Sequence, residues 1–158
     1  MATRIAIMSE GSVVQLGTPR EIYDRPVNRF VANFVGESNF IDGVVRTVSG
    51  RAVFEVAGDD AVEAPAGAAD GPATVMVRPE FLALRSRATD APPPGIAGRV
   101  VNVAFMGNHT RITVATGAGE VVVIRPHGSG DSSTVEEHGL GEEVCVWWLG
   151  ERSALVKE

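Results

Sequence analysis

Apolar residues first gather in two short runs, 4–8 and 12–17, joined by Ser9-Glu10-Gly11. That spacing predicts a β-hairpin, and Ile5, Ile7, Val13, Val14 and Leu16 suit both of its strands to a buried sheet. The period then lengthens. Thr18 is placed to cap a helix, Pro19 fits its first position, and Glu21 completes a capping-box pattern. Pro26 stops this helix, because the residue before a proline is pushed out of helical angles. Asn28 can cap a second helix with an apolar stripe of Phe30, Val31, Phe34 and Val35, ended by Gly36.

From Phe40 onward the pattern predicts only strands. FIDGVVRTV, RAVFEVAG, ATVMVRPE and FLALR follow one another, separated by Ser49-Gly50, Gly58-Asp59-Asp60 and the loop APAGAADG. A proline-rich linker, SRATDAPPPG (86–95), precedes GRVVNVAFMG, HTRITVAT, GEVVVIRP, EEVCVWWLG and SALVKE. Thr110, Ile112, Val114 and Thr116 alternate with Arg111, Thr113 and Ala115, whereas Val121 to Ile124 is continuous enough to be buried on both faces. Short strands at regular intervals predict a small barrel or sandwich. The chain therefore divides into a strand-strand-helix-helix piece, 1–39, and a β body, 40–158. An isolated two-stranded hairpin is marginal in water, so the first piece calls for a larger sheet or a partner.

Composition narrows the function classes. The 158 residues are 44% hydrophobic, enough for a core, and 18 glycines with 9 prolines agree with many turns. A net charge of -6 argues against a phosphate-neutralising face, so nucleic acid is not an expected partner. No apolar run reaches the roughly 18 residues of a membrane span, and nothing resembles a signal peptide. The single cysteine, Cys145, cannot form an internal disulfide, which fits a reducing, cytosolic setting.

Catalytic motifs do not emerge. The sequence has no GxSxG, HExxH, CxxC or dinucleotide glycine fingerprint, and no GxxxxGKS/T to cradle phosphates. His109, His127 and His138 lie in or beside predicted turns without metal-ligand spacing, so no metal is expected. Cys145, between two valines, reads as an inert buried thiol. Trp147 and Trp148 put one ring on each strand face, either as a core anchor with a rim residue or as an interface contact. Arg78, in VRPE with Glu80, stands at a strand-to-turn junction. It could fix the turn, or grip an anion together with His109 or Arg111 of the MGNHTR turn.

These residues also carry a family resemblance. RIAIMSEGSVVQLGTPREIYDRPVNRFVANFVGESNF (4–40) closely resembles the segment after the switch histidine in ATP-binding subunits of bacterial ABC importers. GESNF (36–40) is most similar to the spermidine/putrescine branch. VRPE (77–80), GRVVNVAFMGNHTRITV (98–114) and EEVCVWWLGERSALV are similar, in order, to the TOBE domain of those subunits, an OB-like β-barrel. The resemblance implies that 1–39 is the end of a nucleotide-binding domain and 40–158 a TOBE domain. The family's Walker A, Q-loop, signature, Walker B and switch-histidine motifs have no counterpart here. The expectation is therefore a non-catalytic region without its own cofactor, ATP and Mg belonging to the full-length subunit. It further implies a homodimer that serves membrane permeases from the cytoplasmic side. The alternative is a stand-alone TOBE-like module binding a small solute or oxyanion.

Overall fold

The computed structural model describes residues 3–56, 60–87, 95–127 and 138–157. Most of the linker 86–95 lies outside the described residues. The hairpin forms as β1 (Ile5–Ser9) and β2 (Ser12–Gly17), with Ser9 opposite Ser12, so the turn proper is Glu10-Gly11. Both turn residues take positive φ, 49° and 79°, as a two-residue turn that follows the strand twist requires. Ser49-Gly50 repeats this solution at 51° and 79°.

Helices α1 (Pro19–Asp24) and α2 (Arg29–Val35) start at the residues the sequence assigns. The Thr18 hydroxyl accepts from Glu21 N–H at 3.2 Å, while the Glu21 carboxylate accepts from Thr18 N–H at 2.8 Å. Asn28 Oδ1 accepts from Val31 N–H at 3.0 Å. At the other end, Gly36 is extended (φ 168°), so α2 stops without a left-handed cap.

The expected burial of this region is corrected in two places. In the hairpin, Ile7 is buried and packs with Ile22 and Val31, but Ile5, Met8, Val13 and Leu16 are exposed, Leu16 by 53%. The helices cover the face of Ile7 but leave Ile5 at its edge exposed, and the opposite face, with Met8, Val13 and Leu16, is exposed. In α2, Val31 and Ala32 are buried, whereas Phe30 and Phe34 are exposed, Phe34 by 67%, with their rings 6.1 Å apart. The helix sits between two neighbours: Val31 packs on Ile7 of the hairpin and Ile22 of α1, and Ala32 on Met76 and Val156 of the β body.

The β body contains β3 (Asn39–Val48), β4 (Arg51–Glu55), β5 (Ala61–Glu63), β6 (Gly71–Val77), β7 (Ala83–Ser86), β8 (Ile96–Phe105), β9 (His109–Thr116), β10 (Gly119–Pro126), β11 (Glu143–Trp147) and β12 (Ser153–Val156). They form two five-stranded sheets, ordered β12-β6-β3-β4-β5 and β10-β9-β8-β11-β7. All the strand pairs within both sheets are antiparallel. The last strand crosses back to pair with β6 in the first sheet. Residues on both sides of the linker therefore share one core, with Ile41, Val45, Phe54, Val75 and Val77 facing Ile96, Val100, Val114, Val123 and Val146.

Two details set the packing. A Cβ on Gly43 would come within 2.3 Å of the Glu55 carbonyl and 2.7 Å of the Phe54 ring, so glycine lets Phe54 lie across β3. On β6, Val75 and Val77 join the main core, while Met76 points to the opposite face and is covered by Ala32 of α2 and Val156. Burial on both faces is thus found on β6. The Val121 to Ile124 run instead lies on the edge strand β10, where Val121 and Val123 are buried and Val122 and Ile124 only half-buried. On β9, Ile112, Thr113 and Val114 are all buried, so simple alternation fails there too.

Candidate functional site

The expected site residues separate into two groups. Arg78 directly follows β6 and has extended angles (φ -74°, ψ 144°), as a residue before proline must. Pro79 then opens a short 3-10 turn, Pro79–Phe81. This geometry turns the Arg78 side chain onto the helical tail. Its Nη1 donates to the carbonyls of Ala32 (3.0 Å), Gly36 (3.0 Å) and Glu37 (3.2 Å) and to Ser38 Oγ (2.5 Å). Nη2 donates to the Tyr23 carbonyl at 2.9 Å, and the guanidinium lies 4.2 Å from the Tyr23 ring centroid. With 1% exposure, Arg78 is among the largest fully buried side chains. Burial lowers its pKa, opposed by the nearby Tyr23, Glu80 and Asp24.

Glu80 accepts a hydrogen bond from the Tyr23 hydroxyl. Burial, the bond to Glu80 and the Glu80 charge together push the Tyr23 pKa up to about 12. Arg111, from β9 in the other sheet, forms an ion pair with Glu37. Arg78, Glu80 and Arg111 thus meet on the tail, where their partners are Tyr23, Glu37 and the end of α2. The Arg78 fork closes on backbone carbonyls that a helix end leaves without partners, which is a structural role.

His109 is not part of this group. Its Nδ1 lies 2.7 Å from Asn108 Oδ1, at the turn between β8 and β9. Its neighbour there is His127, which bonds Thr110 Oγ1 (2.7 Å) and stacks on Phe105 (4.9 Å between centroids). The tryptophan pair divides between core and surface. Trp148 is 3% exposed and belongs to the main core, so it offers a partner no ring surface. Trp147 is half-buried beneath Arg85, whose guanidinium lies 4.6 Å from the ring. Cys145 is buried, and burial raises its thiol pKa. Among the described residues, no three His, Cys, Asp or Glu side chains gather as a metal site would require. No described helix is long and apolar enough to cross a membrane.

Further ties hold tail to barrel. Asn28 forms a parallel bridge with Lys157, Arg29 N–H donates to the Lys157 carbonyl (3.2 Å), and Arg29 pairs with Asp42 (3.3 Å). Between α1 and the barrel the junction leaves a cleft of about 890 Å³, walled by Tyr23 and Arg25 on one side and Phe81 and Arg152 on the other. Tyr23, Arg25 and Arg152 were not anticipated from the sequence. REIYDRP reads as an ordinary capped helix, and only the fold brings it opposite 151–155.

Comparison with known proteins places this arrangement. Residues 75–156 match the TOBE domain family. The spermidine/putrescine import ATP-binding protein PotA of Frankia alni is 36% identical over 172 aligned positions, covering 100% of this chain and 36% of that protein. PotA of Thermobifida fusca is 37% identical, covering 97% of this chain and 40% of that protein. The chain therefore spans about two fifths of these relatives' length. A solved structure of the cytoplasmic molybdate-binding protein ModG shares the fold with TM-score 0.54 and 14% identity, covering 74% of this chain and 94% of that one. With the matched family region and these relatives together, the chain belongs to the TOBE domain family, in the form found in the C-terminal part of importer ATP-binding subunits.

Proposed function

We propose that this chain is the non-catalytic regulatory and dimerisation region of an ABC importer ATP-binding subunit of the polyamine type. The observation that carries this reading is the buried Arg78 latch, which fastens an ATPase-type tail to the β-barrel. A barrel fixed in this way moves with the domain that the tail ends. The exposed side of the hairpin, with Met8, Val13 and Leu16, supports a larger sheet lying against it in the full subunit. In that subunit ATP and Mg²⁺ are handled upstream, and permease subunits are met at the cytoplasmic side of the membrane. This chain alone does not hydrolyse ATP.

Dimerisation has a candidate surface at the end of β8 and its turn, where Val101, Val103, Phe105 and Met106 are exposed, Phe105 by 75%. Light scattering coupled to gel filtration tests it. A dimer is expected for the native chain and a shift toward monomer for Phe105→Glu with Met106→Glu. A native monomer at high concentration refutes the dimerisation role, and release of phosphate from ATP by the purified chain refutes the non-catalytic reading.

A further inference from the structure

The cleft between α1 and the barrel has a charge opposite to the rest of the molecule. The chain carries -6, yet the ionisable lining comprises Arg20, Arg25, Arg78 and Arg152 against Asp24 and Glu151. Asp24 is already bridged by Arg20 at 3.2 Å. Among the described residues, neither Arg25 nor Arg152 forms an ion pair or a side-chain hydrogen bond. The Arg152 guanidinium lies 5.0 Å from the Phe81 ring centroid, which holds it against the cleft wall.

Behind this pair lies Arg78. Its hydrogen-bond acceptors are neutral carbonyls and one hydroxyl, and among the described residues its Nε has no partner. A buried charge without a directly paired counter-charge is costly, and its field favours an anion nearby. We propose that the cleft binds a small polyanion bearing phosphate or carboxylate groups, held by Arg25 and Arg152 at the mouth, with the Arg78 charge behind them. The volume lies within the range of small-molecule sites, about 300–1,000 Å³. Phe81 and Tyr23 give the ligand's uncharged part a surface to lie on. A polycation meets the wrong field here, so the site is distinct in chemistry from any that takes spermidine.

Arg25 comes from the tail and Arg152 from the barrel, so a bound anion bridges the two. That consequence, a small-molecule signal that stiffens the junction, rests on the regulatory reading above; the binding itself does not.

The test is isothermal titration of the full chain with pyrophosphate and with citrate, against sodium chloride of matched ionic strength. Saturable one-site binding is expected for at least one probe, weakened about tenfold or more in the Arg25→Gln/Arg152→Gln double variant. Both side chains are exposed, so this variant keeps its fold, and Arg46→Gln on β3 serves as a charge control with unchanged affinity. No saturable binding of either probe, equal affinity in the double variant, or displacement of the probe by spermidine from the cleft overturns the proposal. Light scattering on the same samples tests dimerisation separately, so one idea can fail without the other.

Discussion

Asn39 and Val122, 83 positions apart, are joined by two hydrogen bonds: Asn39 Nδ2 donates to the Val122 carbonyl at 2.8 Å, and Val122 N–H donates to Asn39 Oδ1 at 2.7 Å. A side-chain amide here replaces a neighbouring strand. It satisfies the open edge of β10 and fastens the start of β3, in one sheet, to the edge of the other.

Replacing Asn39 with Leu keeps the branched shape, with a somewhat larger volume, but leaves both Val122 backbone groups without that partner. A loss of about 2–3 kcal/mol is expected, read from the urea midpoint, with faster exchange of the Val122 amide. A change below about 0.5 kcal/mol removes Asn39 from this role.

Arg78 should be far less replaceable. Arg78→Met leaves the carbonyls of Tyr23, Ala32, Gly36 and Glu37 without their shared charged donor, at an expected cost of about 3–5 kcal/mol. Arg78→Lys should restore little, since an ammonium cannot span the Nη1 and Nη2 partners together. Limited proteolysis separates the effects: cleavage within 23–38 should accelerate first, while the barrel persists.

Tyr23, the chain's one tyrosine, reports on the junction through pH. Its pKa rises from 10.0 in the free side chain to about 12 when folded. The stability it contributes is therefore fully present below pH 10 and is lost as pH climbs toward and through about 12. Tyrosinate absorbance should titrate late in the native protein and near 10 after denaturation. Tyr23→Phe should abolish this part of the alkaline loss.

The capping box gives the opposite sign. Hydrogen bonds from the Thr18 backbone and hydroxyl lower the Glu21 pKa. Its contribution is present above the ordinary carboxylate range and disappears as pH falls through the lowered value. Glu21→Gln should remove this acid-sensitive part. Thr18→Ala should cost about 1 kcal/mol at neutral and acid pH alike, because the bond from the Glu21 amide to the Thr18 hydroxyl does not titrate. Both are measured as differences in unfolding free energy.

Gly43→Ala tests the packing of the first sheet. The added methyl would strike the Glu55 carbonyl and the Phe54 ring, and a cost of about 1–3 kcal/mol is expected. Tryptophan fluorescence should follow the same unfolding transition, because Trp148 shares the core with Phe54.

Short-range chemistry was legible in the sequence. Thr18, Pro19 and Glu21 specify one helix start and Asn28 another, since each cap is completed within three residues. The β character of 40–158 follows from short apolar runs between turn residues, and the family follows from motifs read in order. Burial was less legible, because it depends on what covers a face. Phe30 and Phe34 look like a core stripe until α2 sets Val31 against the hairpin and Ala32 against the β body, and Leu16 looks buried until the fold leaves it 53% exposed.

The candidate site was half visible. VRPE announced that Arg78 mattered, but its acceptors lie 40 to 55 residues away, and only the packing of α2 against β6 and β12 brings them within reach. Arg25 and Arg152 gave no signal at all, being ordinary surface arginines until the fold sets them across one cleft. Local hydrogen bonds and turn angles are fixed by neighbours along the chain. Which carbonyls receive Arg78, which face Met76 shows and where an edge strand finds its last partner are fixed by neighbours in space.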